Sequence, residues 1–240
     1  LAAPDPAPFA QVYGEVAALR RPDPCAALGY VGMGRDAFCR DTWPGGAAPP
    51  VVVIDGPGAQ ENFAIGKFEV SIDEYNQFAR ATARPLLPGE ARLPATGVSF
   101  DDAEAYVRWL SRSTGHDYRL PRVWEWRHAA AAGGSPLDPN RNCYSSVRGV
   151  IRGDAVVSVG RGAPNAWGLV NHVGNVEEWA LSDQGRVVLG GRFEDPLAEC
   201  QLTTMREDDG TPGAGKGFRV LREIRTAGVA NRRFASTAEE

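Results

Sequence analysis

Twelve consecutive positions, Gly168-Leu169-Val170-Asn171-His172-Val173-Gly174-Asn175-Val176-Glu177-Glu178-Trp179, constrain the fold more than any other stretch of this chain. They combine turn glycines, a side-chain amide, a carboxylate and a tryptophan, the composition of a loop folded around a hard cation. Asn171 and Glu178 offer side-chain oxygens. Bends open to Gly174 and its neighbours can turn main-chain carbonyls inward, completing the oxygen-only set that Ca2+ prefers. The competing reading is a tight turn closed by a core tryptophan.

With 240 residues, 43% of them hydrophobic, the chain can bury one sizeable core and needs no second full domain. A formal net charge of −4 provides no basic face for releasing counterions from nucleic acid, so nucleic-acid binding is set aside. The longest plainly apolar run, Val51 to Ile54, is far short of the roughly 20 residues of a membrane-spanning helix. The opening Leu1-Ala-Ala-Pro-Asp-Pro-Ala-Pro reads as a linker left by processing, which puts any signal peptide or membrane anchor upstream.

Cys25, Cys39, Cys143 and Cys200 form no C-x-x-C pattern, and an even number fits two disulfides in an oxidising compartment. Three pairings are open, with buried free thiols as the alternative. Cys25 with Cys39 and Cys143 with Cys200 is preferred, because the first two lie close within one loop-rich stretch. A bridge over that first loop would contribute about 3 kcal/mol in the chain-entropy model.

Residues 1–50 read as an extension. Phe9, Val12, Tyr13, Val16 and Leu19 follow helical spacing, and prolines then break the chain up to Pro50. Val51 to Ile54 and Phe63 to Val70 read as strands, with Gly66 marking a bulge in the second. Ser71-Ile72-Asp73-Glu74 is a capping box, followed by Tyr75, Phe78 and Ala79 on one helical face. Ser99-Phe100-Asp101-Asp102 repeats the device before Ala103, Tyr106, Val107 and Leu110. A third short helix is expected from about Pro121 to Gly133-Gly134. Beyond residue 134, turn residues recur every few positions and only short strands, Arg186 to Leu189 and Gly217 to Leu221, interrupt them. Such long ordered loops need ions or disulfides as staples. Residues 225–240 read as a mobile tail.

Several of these segments occur in an order that resembles the formylglycine-generating enzyme, or sulfatase-modifying factor, family. They are Phe63 to Ser71, Val98 to Tyr106, Tyr118-Arg119-Leu120-Pro121 with Glu125-Trp126, Gly168 to Trp179, Gly190-Gly191-Arg192-Phe193 and Gly217-Phe218-Arg219. The resemblance covers residues 51 to 222. It implies an α+β, C-type-lectin-like fold in a loop-rich variant with few short strands and two to three helices, placing the domain at 51–224.

The same resemblance implies calcium sites. Asn171 and Glu178 would bind through side chains, and Gly174 and Val176 through carbonyls. A second family site would use Asn142, the Cys143 carbonyl, Asp154 and the Val156 carbonyl, with spacing that differs here; ordinary turn capping by Asn142 and Asp154 is the alternative. Active family members resemble one another in a pair of cysteines five residues apart that binds copper(I) and activates oxygen. Counting from Gly190-Gly191 places the second at Cys200, but the first falls on Asp195. A hard carboxylate is a poor ligand for soft copper(I), so no copper site is expected and Cys200 is available to bridge Cys143. His116, His128 and His172 lie far apart without metal-ligand spacing.

The resemblance therefore implies a non-catalytic, periplasmic or extracellular recognition module on a calcium-stapled scaffold, such as the sensor part of a membrane-anchored kinase or a surface protein. Its ligand would be a protein or a polar small molecule. The ligand surface would come mainly from Leu181 to Thr211, including Arg192, Glu194, Gln201, Arg206, Glu207 and Asp208. The alternative is an oxidoreductase acting on a peptide or small molecule, for which an unpaired Cys200 would be the reactive group.

Overall fold

Ser71 and Ser99 each start a helix by the means their sequences provide. The computed structural model describes residues 23, 25, 38–57, 62–147 and 150–224. Helix α1 (Ile72–Ala81) begins with the Ser71 hydroxyl accepting from the Glu74 amide, while the Glu74 carboxylate accepts from the Ser71 amide at 2.8 Å. Helix α2 (Phe100–Thr114) begins at Ser99, whose hydroxyl accepts from the Asp102 amide at 3.1 Å, and stops at Gly115 in the left-handed region. Helix α3 (Val123–Ala131) starts two residues after Pro121, where the Glu125 carboxylate accepts from the Arg122 amide at 2.7 Å. It stops at Ala132, ahead of the expected glycines.

The apolar faces of α1 and α2 meet in a cluster of rings. Tyr75 and Phe78 from α1 pack against Tyr106 and Trp109 from α2, and Phe218 meets Tyr106 edge-on at 5.4 Å. Offset and edge contacts of this kind each contribute about 0.5–1.5 kcal/mol beyond area burial.

Two four-stranded sheets carry the rest. The first has the order β3 (Val51–Ile54), β4 (Phe63–Gly66), β12 (Leu221–Glu223), β5 (Tyr118–Arg119), all antiparallel. The second has the order β10 (Met205–Glu207), β9 (Gly185–Leu189), β8 (Glu177–Ser182), β11 (Lys216–Gly217), with β11 parallel to β8. Two small hairpins, β1 (Thr42–Trp43) with β2 (Gly46–Ala47) and β6 (Ser145–Val147) with β7 (Val150–Arg152), stand apart.

Two strand expectations are corrected. The strand expected over 63–70 ends at Gly66, where a Cβ would lie 2.9 Å from the Phe68 carbonyl, because the backbone turns back on itself there. The strand expected over 217–221 is split between the sheets: Phe218, Arg219 and Val220 cross from β11 to β12 with their side chains fully buried. That crossing places Arg219 in the interior.

The extension is tied to the first sheet. Cys25 and Cys39 form a disulfide, and Cys39 exchanges two main-chain hydrogen bonds with Val51 at 2.9 Å. Buried Arg222 on β12 holds Asp41 at 2.6 Å and Asp23 at 2.8 Å, and the Tyr118 hydroxyl donates to Asp41. The helix expected at Phe9 to Leu19 and the tail 225–240 lie outside the described residues. No helix among the described residues is long and apolar enough to cross a membrane.

Candidate functional site

The loop 168–179 does enclose a positive charge, and the charge belongs to Arg219. The Arg219 guanidinium donates to both oxygens of Glu178 at 2.6 Å, to the Gly66 carbonyl at 2.9 Å, and to the Val170 and Asn171 carbonyls at 3.3 and 3.2 Å. Trp126 Nε1 donates to Glu178 Oε2 at 2.7 Å. Glu178 therefore stands differently from the expectation that it binds calcium. Its carboxylate is buried and spent on a guanidinium and an indole, so the set Asn171, Gly174, Val176 and Glu178 does not fit the ion. Asn171, at φ +49°, turns its amide nitrogen to Glu69 at 3.3 Å and, more loosely, to the Ser158 and Val159 carbonyls. Val176 packs against Gly217.

Glu69 adds a second carboxyl to this interior and receives the Asn175 amide at 2.8 Å. Burial pushes its carboxyl up from 4.5 to about 8, against the Arg219 charge and with the Glu178 charge. Between those pH values the folded chain keeps a proton that the unfolded chain has released, so stability falls as pH rises. His172 acts in the opposite sense. Burial, reinforced by Arg219, lowers its imidazole from 6.5 to about 4, so stability rises with pH between those values. The two slopes oppose each other in mild acid, and Glu69 acts alone above 6.5, the ordinary histidine value. Denaturant midpoints are expected to fall between neutral and mildly alkaline pH in the parent and to stay level in Glu69→Gln. A level parent profile would contradict a protonated Glu69.

On the other side of the loop, Cys143 and Cys200 form a disulfide with Cα atoms 6.6 Å apart. Gly174 and Gly191, both at positive φ, make room for it. A Cβ on Gly174 would lie 2.5 Å from the Cys143 sulfur, and one on Gly191 3.2 Å from the Cys200 sulfur. Next to the bridge, Asp195 accepts from the Arg192 amide at 3.0 Å and from Arg206 at 2.9 Å. Arg206 also reaches Glu177 at 2.9 Å, and Arg192 lies 3.5 Å from Glu177 and 3.2 Å from Glu194. Copper(I), implied by the family resemblance, needs thiolates. A carboxylate held by arginine and a sulfur held in a disulfide do not supply them, and no step through copper is derived.

The expected ligand residues are therefore only partly available. Arg192 and Arg206 are committed to acids around Asp195, and Asp208 is half-enclosed with Lys216 at 2.5 Å. Gln201 donates to the Ala198 carbonyl, while Glu194 and Glu207 remain exposed.

Two members of the second expected calcium set come together. Asn142 and Asp154 line one groove, together with Asn171. The Asn142 amide nitrogen donates to the Ala155 carbonyl and to Asn175 Oδ1, both at 2.9 Å. Asp154 is exposed and has no partner among the described residues, so its carboxylate is available. Asn142 and Asp154 thus offer side-chain oxygens of the kind calcium takes.

Sequence reasoning missed Arg219, Glu69, Asn175 and Trp126 as members of the polar interior. The Gly217-Phe218-Arg219 and Phe68-Glu69 segments were visible, but nothing local says that Arg219 meets Glu178 or that Glu69 is buried against Asn171 and Asn175.

The family described as the sulfatase-modifying factor enzyme 1-like domain matches residues 58–224. The formylglycine-generating enzyme of Mycobacterium tuberculosis is 31% identical over 106 residues, which cover 38% of this chain and 33% of that protein. The match thus spans about a third of the curated relative's length. Among solved structures, PvdO from Pseudomonas aeruginosa is similar with a TM-score of 0.66 at 21% identity, covering 80% of this chain and 100% of that one. Treponema denticola variable protein 1 is similar with a TM-score of 0.64 at 16% identity, covering 78% and 99%. CarF follows with a TM-score of 0.58 at 21% identity, covering 82% and 95%. At these identities the structural likeness shows the fold, which is the loop-rich α+β architecture described above.

Proposed function

This chain belongs to the sulfatase-modifying factor enzyme 1-like family, and from that premise we propose that it is a non-catalytic recognition module working outside the cytoplasm. One observation carries the reading. Where the family resemblance places an oxidising thiol pair, this chain has Asp195 bound by Arg206 and Cys200 bonded to Cys143. Without a reactive thiol, the scaffold keeps its shape but loses the group that would activate oxygen. Two disulfides support an oxidising compartment, periplasmic or extracellular. The role fits the sensor part of a membrane-anchored kinase or a surface protein, with a protein or a polar small molecule as ligand.

The test is chemical. Alkylation of the unreduced, unfolded protein followed by mass spectrometry is expected to label no cysteine. Incubation with copper(I), oxygen and a cysteine-containing peptide is expected to leave the peptide unchanged. A labelled, oxygen-consuming Cys200 would restore the oxidoreductase reading.

Calcium enters the proposal at Asn142, the Cys143 carbonyl, Asp154 and the Val156 carbonyl, as a staple for the loops on either side of the disulfide. At a hundredfold excess over its dissociation constant the ion would add about 2.7 kcal/mol of stability. The melting temperature is expected to rise with calcium and fall with chelator, and Asp154→Ala is expected to remove the difference. Equal melting in both conditions rules the site out.

A further inference from the structure

The groove that holds Asn142 and Asp154, about 540 Å3 in volume, is also lined by three arginines, Arg141, Arg152 and Arg161. That volume lies within the roughly 300–1,000 Å3 range of small-ligand pockets. The state of these three cations differs from that of Arg192 and Arg206, which are paired with acids. Arg141 is pinned by carbonyls, donating to Leu197 at 2.8 Å, Cys200 at 3.0 Å and Asp138 at 3.1 Å. Those bonds fix the guanidinium without cancelling its charge. Arg152 donates to the neutral Asn140 side chain, and Arg161 has no side-chain partner among the described residues. None of the three takes part in an ion pair among the described residues.

Of the acids of the groove, Asp138 offsets part of the Arg141 charge at a distance, but neither it nor Asp154 forms an ion pair with Arg152 or Arg161 among the described residues. Asp138 is occupied by the amides of Asn140 at 2.8 Å and Ala163 at 3.1 Å. Asp154 is exposed and meets none of the three arginines among the described residues. Ile151, 59% exposed, adds an apolar contact on the same groove. Guanidinium groups are suited to planar oxyanions, which they bind through paired, charge-assisted hydrogen bonds.

We propose that this groove binds a small carboxylate-bearing ligand, of sugar-acid or peptide-terminus size, through Arg152 and Arg161, with the pinned Arg141 supplying background charge. The site is distinct from the Asp195 surface. It does not depend on the recognition reading, since an enzyme could hold its substrate by the same contacts. Nor does it require calcium, so it is tested with chelator present.

Calorimetric titration of the intact domain with D-glucuronate and with the dipeptide Ala-Ala, each beside its neutral counterpart, D-glucose and Ala-Ala amide, addresses it. At least one acid is expected to bind about tenfold or more tightly than its neutral counterpart. Glucuronate alone would identify a sugar acid, Ala-Ala alone a peptide terminus, and both would support the shared carboxylate chemistry. Arg152→Ala and Arg161→Ala are each expected to weaken binding about tenfold, and Arg161→Lys less, with melting unchanged because both side chains are exposed. Binding of neither acid, equal binding of acid and neutral partner, or affinity unmoved in both alanine variants would overturn the proposal.

Discussion

Replacing Arg219 by alanine is expected to destabilise the domain by about 3–5 kcal/mol, the usual result of removing one partner of a buried ion pair. The size follows from what remains. Glu178, 1% exposed, would be left with only Trp126 Nε1 as a partner, and the Gly66, Val170 and Asn171 carbonyls would lose their donor. Glu178→Ala should cost a similar amount by stranding Arg219. The double variant should cost far less than the sum, because neither stranded charge is left. Guanidinium-induced unfolding of the four proteins completes the cycle. A loss below about 1 kcal/mol in Arg219→Ala, the range of exposed ion pairs, would show that the pair is solvated and not a buried lock. Glu177→Ala is a useful contrast, since Arg206 and Arg192 approach that carboxylate from partly exposed positions.

The second large effect is expected from the Cys143–Cys200 bridge, which closes a sequence separation of 57 residues. In the chain-entropy model a loop of that length is worth about 4 kcal/mol. The double variant Cys143→Ala with Cys200→Ala should therefore unfold at markedly lower denaturant, and reduction of the parent should reproduce the shift. The bridge packs under Gly174 and Gly191, so its loss also opens space beside the loop that holds Arg219. Equal midpoints for oxidised and reduced parent would mean that the surrounding packing alone holds this region. The first bridge should matter less, because Cys25 and Cys39 close a separation of only 14 residues.

Some parts of this molecule were legible as text. The caps at Ser71 and Ser99 work within three residues, so the partners are fixed by spacing before any tertiary contact forms. The ring faces of α1 and α2 follow from helical periodicity for the same reason. Both disulfides match the preferred pairing. The order of motifs announced the family, and counting from Gly190-Gly191 located the missing thiol at Asp195. Other parts were not legible. Gly217 to Leu221 has a strand-like composition throughout, yet it changes sheets at Phe218, and the crossing puts Arg219 against Glu178 in the interior. For Asp208 and Arg206 the sequence leaves ligand contact and pairing within the fold equally open, and folding decides for pairing by bringing Lys216 and Asp195 against them.

By itself, then, the sequence determined the helix starts, the family and the want of a thiol at position 195, all of which depend on short spacing or on the presence of a residue, while the sulfur pairing it could only prefer. The tertiary structure alone decided which cation the loop 168–179 encloses and which arginines keep an uncancelled charge. The reason lies in how charge pairing works. Arg219 and Glu178 are separated by 41 residues, their attraction is screened until both are buried, and only the packed chain removes the water that would otherwise hold them apart.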